Sequence, residues 1–472
     1  MSEPARRQGP AMPTGQQFKN RYVILVIVLT AVFMSVLDAN VVYLGLHKIT
    51  DDFGADLAQT QWVITAYLIA NTSLLLIFGR LSERTGKTRL FIAGIALFTA
   101  SSLACGLAPG IGALIFFRVL QGIGASLVFS INNAILVMAF PNDERGRALG
   151  LLGSIVAIGA ITGPAVGGFI IRVAGWPYIF LINVPIGIAL IAFALKYLKI
   201  GEIIVDDQHM DWRGGALLVT AIVSLMVLLG SMANDLTISP FKIVCGLIVA
   251  AAVAGFFLIE SRCRDPIVDL SAFRVKRFSF ANGSTLFCYL ATSMLTLSLP
   301  FYLVNSLGLQ DYFKAGQVML VIPFMIAVVS PLSGWIYDRF KSHYHSSFGM
   351  LVTAIALLAM SLTATMLSLP ILIACLALFG IGGGLFNSPN NSEVMGALPL
   401  EKSGIASSTL ATVRNFGNTL GVSMVSILLY FEIRGEVISA PANVMAQAAS
   451  LVALIAGALC LVSMASSLLI RK

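Results

Sequence analysis

Gly79-Arg80-Leu81-Ser82-Glu83-Arg84-Thr85-Gly86-Lys87-Thr88-Arg89 lies between two long apolar runs, and Gly334-Trp335-Ile336-Tyr337-Asp338-Arg339-Phe340-Lys341 lies between two others. Each places a glycine, an acid four residues on, and then an arginine. Each reads as a very short basic loop joining two helices. A signal repeated in this way predicts two similar halves, a plan that puts a binding site at mid-depth between them. The flanking runs are long. Residues 90–117, 119–142, 148–171, 173–195, 278–310, 315–337, 346–392 and 437–470 contain no Asp, Glu, Lys or Arg. A bilayer-crossing helix needs about 20 mainly apolar residues, so each run holds at least one span, and the longest holds two, broken near Leu369-Pro370.

Composition agrees. Of 472 residues, 58% are hydrophobic and 11% charged, against about 25% charged in soluble domains. A chain with so little charge cannot cover its own surface in water. Spans are expected near 22–48, 58–79, 88–108, 111–139, 146–171, 177–198, 212–233, 241–261, 279–306, 314–337, 347–367, 370–397, 403–431 and 446–470. The fold class is an all-α integral membrane protein of fourteen helices. Residues 1–21 form an N-terminal tail and 22–198 a first six-helix half. Residues 199–262 are a linker with an inserted two-helix hairpin, and 263–472 the second half.

The net charge of +8 would suggest nucleic acid in a soluble protein. Here the basic residues sit in short loops between apolar runs and mark topology, so no nucleic-acid partner is expected. With the N-terminus inside, 23 Lys and Arg fall on the cytoplasmic side and five (Lys48, Arg172, Lys242, Lys314, Arg434) outside. By the positive-inside rule both termini are cytoplasmic, in the inner or plasma membrane. The N-terminus lacks a signal-peptide pattern. The six cysteines are scattered without a CxxC pair, so neither a metal site nor a disulfide framework is expected. The four histidines fall at helix ends or in loops and read as solvated. Gly86-Lys87-Thr88 is not a phosphate-binding loop, because Leu81 stands where that motif needs glycine. With no nucleotide site and no long soluble stretch, the chain is not an enzyme or a primary pump. It needs no cofactor and draws on a gradient.

Gly79 to Arg89 resembles the signature loop of the major facilitator superfamily. Arg118-Val119-Leu120-Gln121-Gly122-Ile123-Gly124 resembles that family's helix-4 motif. Gly159-Ala160-Ile161-Thr162-Gly163-Pro164-Ala165-Val166-Gly167-Gly168 resembles its helix-5 antiporter motif. Leu37-Asp38 in helix 1, with fourteen helices, resembles the EmrB/QacA-type drug:proton antiporters. Glu83 stands where the family usually has Asp. Asn40, Tyr43 and His47 stand where it usually has Thr, Asn and Pro. The resemblance implies a major facilitator fold and a proton-coupled antiporter exporting lipophilic or cationic drugs and similar amphiphiles. The alternatives are export of a dedicated metabolite, lipid or siderophore, and a sensor or scaffold that does not transport. A periplasmic adaptor is conceivable by family analogy, though no segment shows a docking surface, and a monomer is expected.

A charge at membrane depth costs about 2.5–3.5 kcal/mol and marks a functional site by default. Asp38 is the one acid well inside a helix, and Arg118 lies at matching depth in helix 4. Asp38 is the expected proton-coupling carboxylate, with Arg118 its partner; a static pair holding helices together is the alternative. Asn40, Tyr43, Asn132, Asn133, Asn387, Asn390, Arg414 and Asn418 are candidates for the substrate cavity, or else interhelical packing bonds. Gly79, Glu83, Arg84, Gly86, Arg145, Asp338 and Arg339 are candidates for a gating loop. There Glu83 and Arg84 would form an ion-pair latch with Glu144, Arg145 and Arg147, or the arginines simply mark the inside. Gly159, Gly163 and Gly167 share one helix face, which invites close packing, and Pro164 invites a bend.

Overall fold

The structure, a computed structural model, describes residues 20–55, 57–202, 211–234, 239–260, 271–308, 312–342, 344–433 and 441–469. The N-terminal tail up to residue 19 and the linker stretches 203–210 and 261–270 lie outside the described residues.

Among the described residues sixteen α-helices follow one another: α1 (Arg21–Phe53), α2 (Leu57–Thr85), α3 (Lys87–Gly106), α4 (Ile111–Ala139), α5 (Arg145–Ala174), α6 (Tyr178–Leu181), α7 (Asn183–Tyr197), α8 (Trp212–Asn234), α9 (Pro240–Glu260), α10 (Lys276–Phe301), α11 (Tyr312–Met319), α12 (Val321–Phe340), α13 (Tyr344–Thr363), α14 (Leu369–Gly396), α15 (Ser403–Ile433) and α16 (Ala442–Leu469). Among the described residues, 12 helical stretches are long and apolar enough to cross a membrane. The helices α5 and α15 stand outside that set, at 30 and 31 residues.

The expected spans meet helix throughout, but several boundaries move. The segment from Gly79 to Arg84, read as loop, continues α2 to Thr85. Nothing in Arg-Leu-Ser-Glu-Arg breaks a helix, and the chain turns only at Gly86, whose φ of 96° suits glycine. Likewise Gly334 to Phe340 is helical, and the break falls on Lys341 at φ 47°. One expected span is split into α6 and α7, ahead of Pro185, and another into α11 and α12, ahead of Pro323. Past Pro300, α10 widens into a π-helical turn over Tyr302–Ser306. By contrast α5 runs unbroken through Pro164, whose side chain lies outside the described residues.

Helices α1 to α7 pack mainly on one another, as do α10 to α16. The two groups meet along α5 against α12 and α2 against α15, while the α8–α9 hairpin lies beside α2 and α15. Large apolar side chains such as Phe169, Leu195, Leu247, Leu258 and Leu362 are exposed, as befits helices whose solvent is lipid. Many polar side chains are buried instead, Asp38, Arg118, Gln121, Asn132 and Asn183 among them. Close helix contact is carried by glycine. A Cβ on Gly163 would come within 2.6 Å of Asn40 Cβ, and one on Gly167 within 2.9 Å of Val41. The helix-5 motif is thus the surface that seats α1, the helix carrying Asp38. Gly168, four residues from Pro164, is exposed.

Candidate functional site

The site grows from two buried charges. Asp38 sits in the middle of α1 and Arg118 two turns into α4, and both are buried. Arg118 Nη1 donates to Asp38 Oδ2 at 2.5 Å and to Gln121 Oε1 at 2.5 Å, and Nε donates to the Val63 carbonyl at 2.9 Å. Asp38 Oδ1 accepts from Gln121 Nε2 at 3.0 Å and from Asn183 Nδ2 at 2.8 Å. Gln121 Nε2 also donates to Ser102 Oγ at 2.7 Å. The Arg118 guanidinium lies 4.2 Å from the Tyr67 ring centroid, and Tyr67 OH donates to the Ser35 carbonyl at 3.3 Å. Helices α1, α2, α3, α4 and α7 are tied through one ion pair. A buried pair of this kind is weak evidence for stability, because desolvation offsets attraction. Its cost points to a role. Protonating Asp38 removes one charge and leaves Arg118 with a weaker partner, which is a discrete change in how the first half is held together.

A second polar group lies in the other half. Arg414 on α15 donates from Nη2 to Asn391 Oδ1 at 3.3 Å and lies 4.9 Å from the Tyr289 ring. Tyr289 OH donates to Asn387 Oδ1 at 3.2 Å. Asn415 Nδ2 crosses to the first half and donates to Thr72 Oγ1 at 3.2 Å. Arg414, Tyr289, Asn387 and Asn418 are half-buried. Asn390, expected to line a cavity, is instead buried against α10. Its amide donates to Thr285 Oγ1 at 2.7 Å and to the Ala281 carbonyl at 3.3 Å, because it sits on the α14 face turned toward α10. Asn132 Oδ1 is taken by the Asn133 backbone and side-chain amides. Asn40 Nδ2 bonds within its own helix to the Val36 carbonyl. The Tyr43 side chain lies outside the described residues.

The gate differs from the expected ion-pair latch. Glu83 Oε1 accepts from the Ile405 backbone N–H at 3.0 Å, at the start of α15. Asp338 accepts from the Gly146 and Arg147 N–H groups at 2.9 and 2.8 Å, at the start of α5. Each carboxylate at the end of a helix in one half thus caps the N-terminus of a helix in the other. The first-turn N–H groups of a helix lack partners and carry its positive dipole end, so an acid is drawn to them. Glu144 pairs with Arg21 instead, at 3.0 Å. Arg84 and Arg339 are exposed, and Arg145 Nε bonds the Phe140 carbonyl at 3.1 Å. Around this basic end the halves fit backbone to backbone. A Cβ on Gly334 would lie 2.2 Å from the Gly146 carbonyl oxygen, and one on Gly79 2.0 Å from Ser408 Oγ. Ser388 Oγ donates to the Gly146 carbonyl at 2.6 Å, and Ser154 Oγ to the Ala327 carbonyl at 2.7 Å.

Sequence reasoning missed Gln121 and Asn183 as partners of Asp38, although both stand out as amides in apolar helices. Glu393, readable from the sequence as an acid near a helix end, is buried there and bound by Arg277 and by Tyr337 OH. A cavity of about 240 Å³ lies beside this group at the basic end, lined by Arg145, Arg277, Tyr337, Asp338 and Lys341 among others. Among the described residues, no group of three or more His, Cys, Asp or Glu is placed to hold a metal ion.

Two groups of mostly membrane-length helices meet in close contact at the basic end, with a buried ion pair in one group and a polar cluster in the other. The Major Facilitator Superfamily profile matches residues 28–422, and the chain belongs to that family. It is 33% identical over 410 residues to the riboflavin transporter RibZ of Clostridioides difficile, covering 86% of this chain and 88% of that protein. It is 29% identical over 417 residues to the multidrug resistance protein Stp of Mycobacterium tuberculosis, covering 87% and 76%. In fold it is similar to the human organic anion transporter MFSD10 (TETRAN), with a TM-score of 0.61 at 14% identity over 93% of this chain and 99% of that one.

Proposed function

We propose that this protein is a proton-coupled antiporter that exports lipophilic amphiphiles, drugs among them, by alternating access. The observation that carries the reading is the buried Asp38–Arg118 pair, tied by Gln121 and Asn183 into the packing of five helices. A proton arriving at Asp38 weakens that pair, and its departure restores it, so the state of the first half follows the proton. The sealed basic end is the other component. In this reading it faces the cytoplasm, both termini lie there, and the structure is the state closed to the inside. The gradient supplies the energy, with no cofactor. One charge moved through 100 mV is worth about 2.3 kcal/mol.

The same reading takes α5 and α15 as spans beside the other twelve, with α6–α7 and α11–α12 as one span each. That gives fourteen, in two six-span halves (22–198 and 263–472) around the α8–α9 hairpin, the plan of the EmrB/QacA-type branch. The multidrug relatives support drug export. The riboflavin transporter favours a second reading, export or uptake of one dedicated small molecule, because it matches most of both chains. The protein is taken to act as a monomer.

The test is dye and flavin movement in energised cells expressing the chain, with and without a protonophore. Protonophore-sensitive loss of several unrelated compounds supports drug antiport. Movement of riboflavin alone supports the dedicated reading, and flux indifferent to the protonophore overturns proton coupling.

A further inference from the structure

The charges that face the middle of the molecule are not balanced. Asp38 is the only carboxylate at mid-helix depth among the described residues, and its two oxygens take three donors from Arg118, Gln121 and Asn183 while it stays fully enclosed. Glu83, Asp338 and Glu393 lie at the basic end, and each is held by hydrogen bonds there. Arg414 differs from all of them. It is half-buried, no carboxylate pairs with it among the described residues, and it is held by one amide oxygen at 3.3 Å and an aromatic face. Its Nε is buried without a hydrogen-bond partner. Tyr289 supplies a ring beside the guanidinium.

From this we infer that the Arg414 cluster is the substrate site, and that it selects uncharged or anionic aromatic ligands bearing a carbonyl, imide or carboxylate. The inference rests on the transporter reading above and narrows it by excluding permanent cations. The half-buried Arg414 guanidinium gives the ligand's oxygen a donor, and Tyr289 gives its ring a face. A cation at this place meets a guanidinium in a low-dielectric setting with no free carboxylate to offset it, which at about 6 Å separation and an effective dielectric near 20 is a repulsion worth roughly a hundredfold in affinity.

Binding to the purified full chain in lipid nanodiscs tests this at one pH with no gradient. The probes are two dyes on the same xanthene core, fluorescein (anionic) and rhodamine 6G (cationic), with riboflavin as an uncharged imide. The expected result is that fluorescein or riboflavin binds at least roughly tenfold more tightly than rhodamine 6G, and that R414Q removes this preference. R414E, if it folds as judged by gel filtration, should reverse the order of the two xanthenes; R414Q, the milder change, decides the matter alone if R414E does not fold. Rhodamine 6G binding as tightly as the others, an unchanged preference in R414Q, or no binding of any probe overturns the inference. Proton coupling is judged separately, by flux under an imposed pH gradient. Selective binding without gradient-driven flux would overturn antiport while leaving the site in place.

Discussion

Replacing Asp338 by Asn should open the basic end, and the structure gives the size of the effect. Each Asp338 oxygen accepts one backbone N–H, from Gly146 at 2.9 Å and Arg147 at 2.8 Å. An asparagine has one acceptor oxygen, and its NH2 group cannot accept, so one N–H at the start of α5 loses its partner. The charge facing the positive end of that helix is lost as well. Hydrogen bonds to charged groups contribute about 1.5–3 kcal/mol, and a carboxylate at a partly buried helix N-terminus up to about 2 kcal/mol. These overlap, so about 2 kcal/mol is the expected loss, a roughly thirtyfold shift between closed and open populations at this end. Spin labels at Arg89 and Phe340, both exposed and one in each half, would report it as a second, longer distance in pulsed electron resonance. A D338N distance distribution identical to that of the parent would refute the cross-half cap as the latch. Protonation acts in the same direction as the mutation, since a neutral acid is the poorer acceptor, so acidification should also populate the longer distance.

Four further outcomes follow from other contacts in the structure. Gly334→Ala should open the basic end irreparably, because its Cβ meets the Gly146 carbonyl oxygen at 2.2 Å. Gly79→Ala should be partly rescued by Ser408→Gly, because its nearest clash is with that side chain; the same label pair reads both. Arg118→Met should lower the melting temperature in detergent by leaving Asp38 charged and unpaired, a loss of about 3–5 kcal/mol. Adding Asp38→Asn should restore much of it, and additive losses would argue against direct coupling. Gly163→Ala, with its Cβ 2.6 Å from Asn40 Cβ, should impair flux and destabilise the protein through α1–α5 packing, checked by melting and transport together.

How far the sequence reaches depends on the kind of contact. Long uncharged runs announce helices because a bilayer demands them, and the two buried charges announce themselves by cost. Matching the depths of Asp38 and Arg118 along their helices is enough to pair them, since a span has a fixed rise. Gln121 and Asn183 could not be placed so, because which face an amide presents depends on how helices rotate against each other. The latch was hidden for a different reason. Its acceptors, Glu83 and Asp338, are visible as residues, but their donors are backbone N–H groups of Gly146, Arg147 and Ile405, which any residue supplies. Glu83 pairs with Arg80 of its own helix at 3.2 Å, while of the arginines expected in the latch Arg84 is exposed and Arg145 bonds the Phe140 carbonyl. The ends of α2 and α12 were misjudged because a basic, polar segment at a membrane surface reads as loop, although its residues are good helix formers.

The most direct test of proton coupling at Asp38 does not require the substrate. Infrared difference spectroscopy of the protein in lipid, titrated across pH, detects the C=O stretch of a carboxyl group as it gains a proton. The account predicts a protonated-carboxyl band that grows on acidification and is missing from a folded Asp38→Asn variant. An unchanged set of titrating bands in that variant would contradict it, leaving Asp38 and Arg118 as a fixed structural pair.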